Sequence, residues 1–477
     1  MIRPRRFKNN NHWFSFQFNF AQKVSRQTFK VCQTLKVFTG DKTFLEEYMK
    51  LTALSFENYK AFSKRESIEV RPLTILIGRN NAGKSAISRL PLLIARALSD
   101  RAESPFEFKF NGMDFGASFL DLIHNRVPHG SVGIGATFTD DEGKTTQLWG
   151  SVQYFNEYKL QLVSRFFLRK MNDSAITLSW IGREPLKEGE LYCVEETEQK
   201  CRVSFQGFFP QFIQPIEENQ ALTLSLEKGL MDIRLNNTLL AKATKNMTYL
   251  GYFRQQPQRL YNFPSRILHN VGFNGVNAPE LLGDDFLRNK GIVLEAVSEW
   301  ISHYLGGWKL DIDEQGEMFS LIMRNPDNPS VAVNLVDVGT GIAQVLPIIV
   351  QRQFEAITGQ TGNLEIVEQP ELHLHPDAHG NLADLYVEAI KQSDARFIIE
   401  THSEIFLLRI RRWIAEKKLE PNQVIIYWIN DDPNSGERIQ TIHIQKDGEV
   451  DKWPKGIFSE DFEEVRAIRK AQKDFWQ

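Results

Sequence analysis

Leu73-Thr74-Ile75-Leu76-Ile77-Gly78-Arg79-Asn80-Asn81-Ala82-Gly83-Lys84-Ser85 is the stretch that decides how this chain folds. The run up to Ile77 reads as a buried strand, and Gly78 to Ser85 fit the pattern GxxxxGK[ST]. Ala86 to Arg96 follow with apolar residues at helical spacing, interrupted only by Pro91. In a strand–loop–helix of this kind the backbone N–H groups turn inward as an anion nest, and the helix start adds positive potential. The pattern therefore implies a nucleoside-triphosphate site. Gly78, Arg79, Asn80, Asn81, Ala82 and Gly83 form the cradle, Lys84 reaches the β- and γ-phosphates, and Ser85 holds Mg²⁺.

Two more strand ends lie far downstream. Asn363-Leu364-Glu365-Ile366-Val367-Glu368-Gln369-Pro370-Glu371 is an apolar strand closing on an acid, the form of a Walker B element. Glu368 stands where the carboxylate for Mg²⁺ and its water belongs. Ala395-Arg396-Phe397-Ile398-Ile399-Glu400 is a second such strand, ending in Thr401-His402-Ser403, and a helical stretch from Pro376 to Ile390 separates the two. Open α/β sheets place their chemistry at the C-terminal ends of strands, and each of these strands ends in polar residues.

Composition sets the outer bounds. A chain of 477 residues with 25% charged side chains suits a globular protein of two or three domains. No apolar run reaches the roughly 18 residues a membrane helix needs, which argues against a permease. The three cysteines (Cys32, Cys193, Cys201) are too few for a disulfide framework and fit a cytoplasmic setting. Residues 1–48 differ from the rest. They hold nine Lys/Arg against three acids, a surplus of six, so with a whole-chain charge of -3 the remainder carries -9. A basic arm for nucleic acid, an organellar transit peptide and upstream sequence joined through a misplaced start codon all fit this extension. The last is favoured because an alternating strand pattern begins cleanly at Met49.

Together these motifs resemble the ABC-type ATPases of the SMC, RecF and OLD group, whose nucleotide-binding fold is split by a long insertion. Phe56-Glu57-Asn58-Tyr59-Lys60-Ala61-Phe62 resembles the opening strand of that group, and Val338-Gly339-Thr340-Gly341-Ile342 stands where its signature motif belongs. Glu368 to Pro376 covers Walker B and the D-loop, and Glu400 to Ser403 the switch-histidine loop. Within the group the chain looks most like bacterial AAA proteins with EQPELHLHP and a C-terminal segment like Trp453-Pro454-Lys455-Gly456-Ile457-Phe458.

The resemblance implies an α/β, P-loop ABC-type fold: an N-terminal ATPase lobe over 49–129, a β-rich insertion or lid over 130–245, and a C-terminal lobe over 246–477. It further implies ATP and Mg²⁺ as cofactors and an ATP-dependent homodimer in which Gly339, Thr340 and Gly341 meet the other subunit's γ-phosphate. An effector or nuclease partner acting on nucleic acid, in repair or anti-phage defence, completes that expectation.

Two departures bear on catalysis. Gly339 replaces the signature serine. Gln369 takes the position of the general base, and an amide orients a water but cannot take its proton. Glu371 then offers the nearest carboxylate, and His402 a group for the γ-phosphate and attacking water, so slow turnover is expected. A non-hydrolysing nucleotide-dependent scaffold is the alternative, with Gln369 as its clue.

Lesser signals are weighed against these. His373, His375 and His379 have a spacing that zinc uses, but His375 falls on the D-loop and His379 is expected on a helix surface. Asn430 to Gly436 reads as a turn. Arg254 either faces phosphate or pairs with an acid. Short alternating runs over 130–245, such as Ser131–Phe138 and Leu222–Leu226, predict strands, and no heptad repeat predicts a coiled coil. The tail after His402 is too short for a TOPRIM nuclease, and two strands and a charged helix from about Glu460 are expected there.

Overall fold

Three strands and a helix begin the fold in the order the sequence dictates. The computed structural model describes residues 49–475 apart from 100, 111, 171–174, 183–188, 217–233, 235–236, 239, 245–246, 360–363, 432–436 and 454–459. The basic extension, the Leu222–Leu226 run and most of the two segments after Asn430 and Trp453 lie outside the described residues. Strand β1 (Lys50–Glu57) pairs antiparallel with β2 (Glu66–Glu69), and the chain then enters β3 (Leu73–Gly78), which is buried throughout. Helix α1 (Lys84–Ala97) follows the glycine loop and runs on through Pro91.

The β-rich segment builds β4 (Ser131–Thr139), β5 (Thr145–Phe155), β6 (Leu160–Lys170), β7 (Ile176–Gly182), β8 (Glu190–Val194), β9 (Gln199–Gln206) and β10 (Phe209–Pro215). These seven do not form a sheet of their own. β4 pairs antiparallel with β1, giving one nine-stranded sheet in the order β10-β9-β8-β7-β6-β5-β4-β1-β2. The cause is packing: Leu54 and Phe56 from β1 share one core with Ile134, Phe138, Val152 and Phe166.

After this sheet come β11 (Met247–Leu250), α2 (Ala278–Arg288), α3 (Ile292–Tyr304) and α4 (Thr340–Thr358). Then follow β12 (Leu364–Glu368), α5 (Pro376–Gln392), β13 (Phe397–Glu400), α6 (Glu404–Ala415), β14 (Val424–Ile429), β15 (Ile439–Ile442) and α7 (Glu460–Phe475). The tail thus has the two strands and the helix expected of it. Pro376 opens α5 at its first turn, where a missing N–H costs nothing.

The central sheet runs β11-β12-β13-β3-β14-β15, parallel except for its last pair. Its strands are continuous apolar runs because both faces are covered. Leu73, Ile75, Ile77, Ile399 and Ile426 face the core shared with α3 to α6. Leu76, Ile366, Ile398 and Tyr427 face the other, shared with α1 and the nine-stranded sheet. This is the α/β, P-loop ABC-type architecture that the motifs predict, with β13 set between the Walker B strand and the P-loop strand.

Candidate nucleotide site

Sheet order and register bring the site together. Glu368 and Glu400 are directly paired across β12 and β13, and Glu400 is paired with Leu76 of β3. The polar ends of three parallel strands therefore meet at one edge, beside the loop that opens α1.

The P-loop needs its glycines for definite reasons. Gly78 has φ 151° and lies so close to β14 that a Cβ would meet the Ile429 carbonyl at 2.4 Å. Gly83 has φ 113°, and a Cβ there would sit 3.0 Å from the Phe62 ring. Phe62 belongs to the opening motif, which the resemblance matched without a reason. The structure supplies one: Phe62 packs on Phe56 with ring centroids 4.9 Å apart, and the Tyr59 hydroxyl donates to the Ala86 carbonyl at 3.3 Å. The motif braces the loop from below.

Lys84 is 3% exposed and folds back over the loop, its Nζ donating to the carbonyls of Gly78 (2.9 Å) and Arg79 (2.8 Å). Burial lowers its pKa, against the pull of Glu400 and Asp431. The Ser85 hydroxyl donates to Glu400 Oε2 at 2.8 Å, and Lys84 Nζ stands 3.9 Å from Glu400 Oε1. Burial, then the neighbouring charge of Glu368, pushes the Glu400 carboxyl up to about 7.

Glu368 closes β12 with its carboxylate already engaged. Its carboxylate, 1% exposed, is gripped by Arg89 through two bonds of 2.7 Å, and it also accepts from the Ser88 hydroxyl at 3.0 Å. Burial works against the Arg89 cation, but the Glu368 hydrogen bonds and charge carry its pKa above the ordinary value. Arg89 is a residue that motif reading missed. Its signal is its place one helical turn after Ser85, since positions four apart on α1 share the face toward the strand ends.

The candidate catalytic groups form a second knot. Gln369 closes the Walker B strand in a left-handed conformation (φ 46°) uncommon outside glycine, and its N–H donates to the Glu400 carbonyl at 2.7 Å. Glu371 accepts from the Thr401 hydroxyl at 2.9 Å and from the His402 N–H at 2.8 Å, both on one carboxylate oxygen. The other oxygen is buried with no hydrogen-bond partner among the described residues. Burial, then the Lys84 charge, lowers the His402 pKa, so its imidazole is neutral at pH 7. Arg254 takes neither expected role: it donates to the carbonyls of Glu368 (2.8 Å) and Gln369 (3.1 Å) and fixes the end of β12.

Gly339 and Thr340 are exposed at the start of the 19-residue α4, with Gly339 at its N-cap. Gly341 instead packs against the D-loop, where a Cβ would meet the His373 carbonyl at 2.5 Å. α4 is also tied to β12 by buried Arg352, which pairs with Glu365 and with Glu355.

The surface position expected for His379 is corrected. It is half-buried, with Nδ1 2.8 Å from the Ser403 hydroxyl and Nε2 3.3 Å from the Leu374 carbonyl. The Leu374 carbonyl can only accept, so Nε2–H donates to it, and in the neutral imidazole Nδ1 then accepts from the Ser403 hydroxyl. With both ring nitrogens used, His379 joins the D-loop to α6. No metal-binding cluster of His, Cys, Asp or Glu is found among the described residues.

A glycine loop at a helix start, a buried lysine, a P-loop hydroxyl and buried carboxylates are the kinds of group that bind a magnesium nucleotide. Residues 49–262 and 289–407 match the family described as "AAA ATPase domain". The chain belongs to the AAA ATPase domain family. Residues 419–468 of this ATPase match a second family, described as "Protein of unknown function (DUF3696)". No curated protein matches it.

Among solved structures it is similar to an SMC head bound to the C-winged helix domain of ScpA, at 12% identity and TM-score 0.44, over 83% of this chain and 98% of that one. The SMC head domain from Thermotoga maritima gives 12%, TM-score 0.37, and 83% and 99%. The SMC head of Pyrococcus furiosus, with an extended coiled coil and bound to the C-terminal domain of ScpA, gives 11%, TM-score 0.40, and 88% and 100%. These likenesses are distant, and none says what this ATPase binds. No helix among the described residues is long and apolar enough to cross a membrane.

Proposed function

We propose that the chain is a slow, switch-like ATPase that binds ATP with Mg²⁺ and closes as a head-to-tail homodimer. The observation that carries this reading is the convergence of Lys84, Ser85, Glu368 and Glu400 where β3, β12 and β13 end. The nest and Lys84 would take the phosphates, and Ser85 with a buried carboxylate would hold the cation. Bound Mg²⁺ supplies charge neutralisation between the phosphates. Gln369 would orient water, Glu371 would stand in as base, and His402 would meet the γ-phosphate. Gly339 and Thr340 would present their helix start to the other subunit's nucleotide.

The conformational change would pass to an effector partner acting on nucleic acid, within the cytoplasm and in repair or defence. The ATPase reading is tested by measuring ATP binding and phosphate release by the purified protein with and without Mg²⁺, beside Lys84→Ala. A protein that binds no ATP sinks it.

One specific observation favours a second reading, a nucleotide-dependent scaffold that does not hydrolyse. The general-base position holds an amide in a constrained backbone, and Arg89 occupies the Walker B acid. Tight ATP binding with no phosphate release over hours would select it.

A further inference from the structure

The two buried acids of the site differ in what their oxygens are doing. Glu368 is saturated: Arg89 takes both oxygens at 2.7 Å, and Ser88 adds a third bond. Freeing it means breaking a buried, bidentate ion pair, which leaves both charges uncompensated. Glu400 has no such partner. Its Oε2 faces the Ser85 hydroxyl at 2.8 Å, and its Oε1 stands 3.9 Å from Lys84 Nζ, with the Arg89 charge also acting on it.

Sheet order explains the difference. β13 lies between β12 and β3, so Glu400 is one strand from the P-loop and Glu368 is two. Mg²⁺ binds oxygen at about 2.0–2.1 Å in octahedral geometry, which puts adjacent ligand oxygens about 2.9 Å apart. The 2.8 Å between Ser85 Oγ and Glu400 Oε2 is an ordinary hydrogen-bond length that sets two oxygen donors side by side, as neighbouring ligands of one cation would be. Lys84 is the group that leaves, because phosphate oxygens offer it stronger partners than loop carbonyls do.

Resting on the nucleotide-site reading above, we propose that Glu400 and Ser85 together hold the nucleotide-associated divalent cation. Glu368 stands behind them, engaged by Arg89. The metal role of Walker B has passed to the neighbouring strand end.

The test uses the full chain with a non-hydrolysable ATP analogue, and does not depend on turnover. Affinity is measured by calorimetry in Mg²⁺ and in EDTA, and Mn²⁺ serves as a spectroscopic probe of the bound cation. Wild type should bind more tightly in Mg²⁺ than in EDTA. Glu400→Gln should keep at least the wild-type affinity in EDTA, since it removes a negative charge from beside the phosphates. It should lose tenfold or more of the metal enhancement, together with the bound-Mn²⁺ signal. Glu400→Asp, which keeps the charge but withdraws it by one methylene, should fall between. Glu368→Gln should cost the enhancement threefold or less.

A Glu400→Gln protein with wild-type metal enhancement overturns the proposal, as does a Glu368→Gln protein that loses more of it. Poor binding by Glu400→Gln in both buffers also overturns it, by making Glu400 structural. Wild type that binds no analogue in either buffer would instead sink the nucleotide site itself.

Discussion

One oxygen of the Glu371 carboxylate holds both the Thr401 hydroxyl and the His402 N–H, so the end of Walker B grips the switch loop directly. Thr401 Oγ1 in turn accepts from the Ser403 N–H at 3.0 Å, which carries the grip to the start of α6. Glu371→Gln keeps an acceptor oxygen in the same place, whereas Glu371→Ala releases the loop. With Glu371 as the base, both variants should slow hydrolysis by ~10²–10⁴-fold while ATP binding stays within a few-fold. His402→Ala should also slow hydrolysis and spare binding. Phosphate-release assays decide the matter: wild-type turnover in the Gln variant beside a slow Ala variant would make Glu371 a positioning residue only.

Lys84→Ala should weaken ATP binding at least tenfold, which is more than ~1.4 kcal/mol. Lys84 is a buried cation at the glycine loop, held by the carbonyls of Gly78 and Arg79. Calorimetry showing unchanged affinity would remove the P-loop assignment.

Much of this site is legible in the sequence because strand ends are local signals. β3, β12 and β13 are apolar runs closed by a glycine or an acid, so Gly78, Glu368 and Glu400 are located before any contact is known. Which acid faces Ser85 is not local. It depends on β13 lying between β12 and β3, and on Arg89 capturing Glu368, neither of which a motif encodes. The same limit applies to the β-rich segment. Its alternation is plain in Ser131–Phe138, but the pairing of β4 with β1 joins residues far apart in the chain. His379 misleads for a related reason: its partner Ser403 lies on the next strand–helix junction.

Glu400→Gln should stabilise the nucleotide-free protein. Burial and Glu368 raise the folded-state pKa of Glu400 to about 7, against an ordinary value of 4.5. The folded state then binds the extra proton between those values, so this group's contribution is complete below pH 4.5 and is lost as pH rises toward 7. Above pH 7 the variant should exceed wild type by ~1–3 kcal/mol, and the gain should shrink as pH falls toward 5. Thermal melts of both proteins at pH 5 and pH 8 check this, and a pH-independent difference would remove the titration as its cause.

Dimer closure is best probed at Gly339, and the structure shows why Gly341 is the wrong position. A side chain at Gly341 would strike the His373 carbonyl at 2.5 Å, so any loss there mixes steric damage with electrostatics. Gly339 has open space around its Cβ position and a φ of -54° that any residue adopts. Aspartate is also a favoured N-cap, so Gly339→Asp should leave α4 as stable as before or slightly more so. Its charge would nevertheless stand where the other subunit's γ-phosphate is expected. Gly339→Asp should therefore bind ATP with normal affinity as a monomer yet fail to dimerise, and its turnover should fall at least tenfold. Sedimentation with ATP, Mg²⁺ and the slow Glu371→Gln background reads the dimer directly. A Glu371→Gln protein that stays monomeric there, beside wild-type turnover no faster than that of Gly339→Asp, would refute the shared site and leave the P-loop untouched.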